Sequence, residues 1–183
     1  MIRICLYSSP VKTEDFLRRA GISASPLTGE YGKPALPGTG FYFNKSDSGS
    51  LTAYVLSDEG EVGIDLQKIL PYKERYDRLA GRFFRPEEAE ALSRMEEKEK
   101  AGAFFRLWTV KESYLKYTGR GIGGGLSSFR VDLRRGLILP DTGEWAACRI
   151  LEGPALHAEG YVLAVCARKL PDFLPILYDS ANL

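Results

Sequence analysis

Two acidic positions set far apart in the chain carry the strongest chemical signal. One is Asp65, in Val62-Gly63-Ile64-Asp65-Leu66-Gln67. The other is Glu112, in Phe105-Arg106-Leu107-Trp108-Thr109-Val110-Lys111-Glu112-Ser113, which runs on through Lys116 to Gly119-Arg120-Gly121. Should the fold bring them together, two carboxylates would suit a hard cation such as magnesium, which takes oxygen ligands and shares them with substrate phosphates. Lys111 and Lys116 would then offset phosphate charge or protonate a leaving oxygen. Phosphoryl transfer works in this way, by positioning and electrostatics.

The segments around these residues have readable periods. In 62–67 the two-residue repeat puts Val62, Ile64 and Leu66 on one face and Gly63, Asp65 and Gln67 on the other. Gly63 leaves room beside Asp65 for a ligand or a close backbone. Trp108, Glu112 and Lys116 recur at four-residue spacing and share a helix face, with Lys111 about 100° round from Glu112. The plain alternative for Glu112 and Lys116 is a surface pair worth roughly 0.2–0.5 kcal/mol. A tryptophan on the same face favours a site wall.

The remaining elements follow from local patterns. Residues 1–7 predict a strand, and Thr13 to Ala20 a short helix ending at Gly21. Residues 25–40 hold three prolines and four glycines, hence a loop. Phe41–Phe43 predicts a strand end, and residues 44–49 a polar turn. Strands are expected at 51–56 and 62–66 around a turn at 57–60. Helices are expected at 72–79, from Pro86, and over 103–117 with a stop at Gly119. Strands at 129–133, 145–151 and 161–167 complete the order. The glycines from Gly119 to Gly125 suggest a flexible crossing near the site. They follow a helix rather than opening one, so they do not read as a phosphate loop. The mixed order predicts an α+β fold with helices against twisted sheets.

The bulk numbers limit the classes. A chain of 183 residues fits one domain or two small lobes. With 44% apolar and 27% charged residues and a net charge of +1, the chain as a whole does not resemble a nucleic-acid binder. Cys5, Cys148 and Cys166 are too few and scattered for a disulfide framework. No apolar run reaches 18 residues, so no membrane span is expected. The default expectation is a soluble, cytoplasmic monomer. His157, the single histidine, has no partner spacing for a triad.

Taken together, the chain resembles the 4′-phosphopantetheinyl transferase superfamily, of the surfactin-synthetase-activating type. The resemblance covers residues 30–170. It rests on the order of Tyr31-Gly32-Lys33-Pro34, then Phe43-Asn44-Lys45-Ser46-Asp47-Ser48-Gly49, then Gly63-Ile64-Asp65. Arg82-Phe83-Phe84 with Glu88 follows, and then Trp108 to Ser113 with Lys116 and Gly119. It implies a pseudo-twofold fold of two similar α/β lobes, each with an antiparallel sheet packed on helices, here 1–61 and 62–183. It implies magnesium-dependent transfer of the phosphopantetheine arm of coenzyme A to a serine of an apo acyl or peptidyl carrier protein, releasing adenosine 3′,5′-bisphosphate. Asp65 and Glu112 would hold magnesium, and Glu112 would help deprotonate the serine. Lys111 and Lys116 would contact phosphate, and Lys33, Ser46 and Asp47 would hold the nucleotide end. Two departures stand out: Gln67 where the family commonly has an acid, and Asp47 where it commonly has histidine. A carboxylate beside a 3′-phosphate repels it, so Asp47 is expected to point away, pair with a basic residue or alter coenzyme preference. Two alternatives stay open: a homologue that binds coenzyme A or carriers with little or no turnover, and an unrelated magnesium-dependent enzyme acting on nucleotides.

Overall fold

Alternating apolar residues build two sheets that share one core. The computed structural model describes residues 1–121 and 125–178. Ile122, Gly123 and Gly124, expected to form part of the flexible crossing, lie outside the described residues, as does the end of the tail from 179. The first sheet has the order β11-β1-β5-β4, built from β1 (Ile2–Tyr7), β4 (Tyr42–Ser48), β5 (Leu51–Ser57) and β11 (Ile176–Tyr178). Its pairs are antiparallel except β1 with β11, which is parallel. The second sheet, order β6-β10-β9-β8-β7, contains β6 (Val62–Lys68), β7 (Phe129–Asp132), β8 (Leu137–Pro140), β9 (Ala146–Gly153) and β10 (Ala158–Ala167). A two-residue pair, β2 (Leu27–Thr28) with β3 (Pro34–Ala35), pins the proline-rich loop.

The two sheets pack face to face. Ile2, Ile4, Leu6, Ala53 and Val55 of the first meet Val62, Ile64, Leu66, Leu163 and Val165 of the second in one buried cluster. On the outer face of the first sheet, Phe16 and Leu17 of α1 (Thr13–Arg19) pack on Phe43, Tyr54 and Leu56. On the outer face of the second lie α2 (Arg75–Phe83), α3 (Pro86–Ser93) and α4 (Glu97–Thr118). Helix, sheet, sheet and helix thus form the mixed α/β architecture expected, two sheet-plus-helix regions joined through a common core.

Three local features position the centre. At Gly63 the backbone of α4 crosses β6 so closely that an added Cβ would lie 2.1 Å from the Ser113 carbonyl oxygen. The free edge of β6 is satisfied from the first sheet: the Leu66 and Lys68 amides donate to Ser46 Oγ (3.1 Å) and Ser48 Oγ (2.9 Å). This explains why 44–48, expected as a turn, is strand. Its inward serines replace the missing ladder partner of an edge. Finally, α4 stops at Gly119, whose positive φ of 68° closes the helix in the left-handed region.

Candidate active site

Strand β4, strand β6 and the C-terminal half of α4 meet at Asp65. Its neighbours follow from the two-residue period of β6: Ile64 and Leu66 enter the inter-sheet core, so Asp65 turns toward α4. Its Oδ1 accepts from Lys116 Nζ at 2.7 Å and from Ser46 Oγ at 2.9 Å, and its Oδ2 accepts from Gln67 Nε2 at 3.1 Å. Glu112, one helical turn before Lys116, reaches the same place. Burial and then the charge of Asp65 push its carboxyl above the usual range, while Lys116 pulls it down. Its Oε1 is buried and has no hydrogen-bond partner among the described residues. An orphaned buried carboxylate oxygen is costly unless something pairs with it.

Glu112 and Lys116 border a cleft of about 670 Å³ between the first sheet and α4, and Asp65 lies buried behind them, joined to the cleft through Lys116. Thr13, Tyr31, Lys33, Asn44 and Lys45 line it on one side and Glu112, Leu115 and Lys116 on the other. Tyr31 sits at its lip with a positive φ of 55°, its Cβ against Gly121. Among the described residues, no group of three or more His, Cys, Asp or Glu could hold a metal. Two carboxylates, that of Glu112 without a donor among the described residues, still fit a hard cation that takes its other ligands from water and a bound phosphate.

The expected site residues divide. Asp65, Glu112, Lys116 and Ser46 come together. Ser46 contacts the carboxylate and the β6 edge directly. Lys33 lines the cleft, but its ammonium pairs with Glu61 and donates to the Tyr117 carbonyl, which ties the Tyr31–Pro34 loop to the negative end of α4. Asp47 sits on the opposite face of β4 from Ser46. Its carboxylate pairs with Lys45 Nζ at 2.9 Å and accepts from Thr52 Oγ1 at 2.7 Å. Pairing with a basic residue is one of the arrangements expected for Asp47, and it places the carboxylate beside Lys45, which lines the cleft from the same face of β4.

Lys111 requires a correction. Its side chain is 0% exposed and points away from the cleft. It pairs with Glu88 at 2.9 Å, donates to the carbonyls of Leu126 and Phe129, and lies 4.4 Å from the Phe129 ring centroid. Burial lowers its pKa and Glu88 opposes the shift. Glu88 also accepts from the Arg85 and Val131 amides, so the pair binds α3, α4 and β7 together. A lysine so enclosed does not reach a phosphate in the cleft. Trp108 likewise joins Phe83, Phe84 and Phe104 rather than walling the cleft. The expectation overlooked Thr13, Asn44 and Lys45. The unbroken polar run of 44–48 could have drawn attention to the last two, whereas nothing in its sequence context singles out Thr13.

Comparison with known proteins places these residues in a family. A model of the 4′-phosphopantetheinyl transferase superfamily matches residues 61–166, which include Asp65, Glu112 and Lys116. A 4′-phosphopantetheinyl transferase of Bacillus subtilis is 36% identical over 149 residues, 79% of this chain and 62% of that protein. The transferase psf-1 of Bacillus pumilus is 37% identical over 133 residues, 70% of this chain and 54% of that protein. The transferase ffp of Bacillus subtilis is 32% identical over 173 residues, 92% and 72% of the two chains. The chain spans 49–62% of the length of three such relatives. With the family model covering more than half of the sequence, the chain belongs to the 4′-phosphopantetheinyl transferase superfamily.

Proposed function

We propose that this protein is a magnesium-dependent 4′-phosphopantetheinyl transferase of the surfactin-synthetase-activating type, acting on apo acyl or peptidyl carrier proteins. The observation that carries the reading is the buried, unpartnered oxygen of Glu112 beside Asp65 at the edge of a cleft between the two sheet-plus-helix regions. The names of the relatives give the group transferred, 4′-phosphopantetheine. We assign residues 1–61 and 62–183 to the two lobes, with the strand at 176–178 returning to the first sheet.

In this reading Asp65 and Glu112 are the residues that would hold magnesium when coenzyme A is bound. The chemistry such an ion would supply is neutralisation of diphosphate charge. Glu112 takes the proton of the carrier serine, directly or through water, and its raised pKa suits it to that task. The serine oxygen forms a bond to the pantetheine-side phosphorus as the bond to the bridging oxygen breaks. Adenosine 3′,5′-bisphosphate leaves with the electron pair, and Lys116 offsets the charge that develops there. Lys45 and the Tyr31–Pro34 loop face the nucleotide end of the cleft.

The test is the mass of the carrier. Apo carriers incubated with the protein, coenzyme A and magnesium should gain one phosphopantetheine arm. Asp65→Ala and Glu112→Ala should each nearly abolish the gain. Retained transfer in both variants sinks the mechanism. Coenzyme A binding with no gain across a broad carrier panel would favour a binding protein on the same fold.

A further inference from the structure

Asp65 is engaged by the protein on both of its oxygens. Lys116 and Ser46 hold Oδ1, and the amide of Gln67 holds Oδ2. Glu112, by contrast, has a buried oxygen without a partner. A bare cation approaching this pair meets the Glu112 carboxylate without a protein donor on it among the described residues, and an Asp65 carboxylate already engaged. It must take Asp65 from an ammonium that repels it and from an amide that already donates there. A diphosphate resolves both conflicts. Its oxygens attract Lys116 away from Asp65, and they supply the cation with further ligands. Gln67 is what makes the difference at its position. Its neutral amide gives Asp65 a hydrogen bond. A glutamate there would repel Asp65 and favour a cation with no substrate present.

Building on the assignment of Asp65 and Glu112 as a metal pair, we infer that Gln67 and Lys116 make cation binding conditional on a diphosphate-bearing substrate. Metal and diphosphate then bind cooperatively, each raising affinity for the other by the same factor. Gln67 is a specificity-determining residue of the site, and Lys116 serves as the counter-ion that the diphosphate displaces.

Manganese is the probe, its free concentration read by electron paramagnetic resonance. Wild type, Gln67→Glu and Lys116→Gln are titrated with and without coenzyme A. Wild type is expected to bind manganese weakly alone and at least about tenfold more tightly with coenzyme A, within the usual range of coupling. Both variants are expected to bind manganese alone at least about tenfold more tightly than wild type, with a smaller gain from coenzyme A. Manganese should also raise the melting temperature of Gln67→Glu more than that of wild type. Equal metal-only affinity in all three proteins overturns the inference. So does wild-type affinity that coenzyme A leaves unchanged although calorimetry shows the coenzyme bound, a result that leaves the transferase reading intact. If coenzyme A binds to none of them with metal present, the transferase reading and the cooperative half of the inference fall. The metal-only arm still decides the role of Gln67.

Discussion

Replacing Gly63 with alanine adds one methyl group where β6 and α4 cross. The new carbon would lie 2.1 Å from the Ser113 carbonyl oxygen, 2.4 Å from the Tyr117 amide nitrogen and 2.9 Å from Tyr117 Cα. Ordinary contact starts at 3.4 Å, so the helix must retreat by about 1.3 Å. All three neighbours are backbone, and no rotamer change relieves them. Overpacking of this kind typically costs about 1–3 kcal/mol, and in a chain of this size each kcal/mol lowers Tm by about 2–4 °C. The functional loss should exceed the loss of folded protein. Ser113 adjoins Glu112, and a misplacement of about 1 Å at a reacting group costs on the order of a hundredfold in rate. Urea unfolding gives the stability, and carrier mass against time, taken where the variant is fully folded, gives the rate. An alanine variant with the parent's urea midpoint and the parent's turnover refutes the close approach and its role in placing Glu112.

Three further outcomes follow from the same geometry. Glu112→Gln should abolish transfer yet stabilise the fold at neutral pH. The raised pKa means that the native state holds the proton more firmly than the unfolded chain. The parent therefore loses stability as pH climbs from below the ordinary value of 4.5 through the raised one, and the variant does not. The difference in Tm should be larger at neutral than at acid pH, and the reverse order contradicts the assignment. Lys111→Met should cost about 3–5 kcal/mol in urea unfolding by leaving the Glu88 charge buried and unpaired, and Lys111→Met with Glu88→Gln, which removes that charge and keeps an acceptor for a backbone amide, should recover part of it. A single variant as stable as the parent argues against the buried pair. Asp47→Ala should lower the KM for coenzyme A by freeing the Lys45 ammonium at the cleft; a raised KM would place Asp47 in contact with the nucleotide.

Elements with a clean local period were legible. The alternation in β1, β5 and β6, the proline opening α3 and the glycine closing α4 all lie where residue patterns predict them. Elements defined by distant partners were not. Strand β4 is polar because its inward serines serve the edge of β6 rather than a core. Strand β8 is four residues long and ends in proline, and β11 is three residues paired in parallel with β1 from the far end of the chain. Helix α2 begins at Arg75 rather than Tyr72, whose hydroxyl instead donates to Asp77 at 2.6 Å and braces the first turn from outside. In the candidate site, the shared helix face of Glu112 and Lys116 was readable from their four-residue spacing, whereas the place of Asp65 beside them was implied by the family resemblance. That Asp47 pairs with a basic residue was among the expected arrangements, but which one, Lys45 two residues away on the same face, follows only once 44–48 is known to be strand.

The two lysines of α4 show why residue type and proximity in sequence do not suffice. Successive residues of a helix turn by about 100° and rise by about 1.5 Å. Lys111 therefore diverges from Glu112 although it adjoins it, and its face of the helix meets Glu88 and the carbonyls of Leu126 and Phe129. Lys116 returns to within about 40° of Glu112 one turn later and reaches Asp65. Trp108 lies on the same stripe but about 6 Å earlier along the axis, which carries it past the cleft and into the aromatic cluster of Phe83, Phe84 and Phe104. One continuous helix thus anchors its first half in the core and delivers two charges to the cleft with its second. The crossing at Gly63 sets the register between these halves, because the helix touches β6 there at Ser113 and Tyr117, between and just beyond the two charged residues that must meet Asp65.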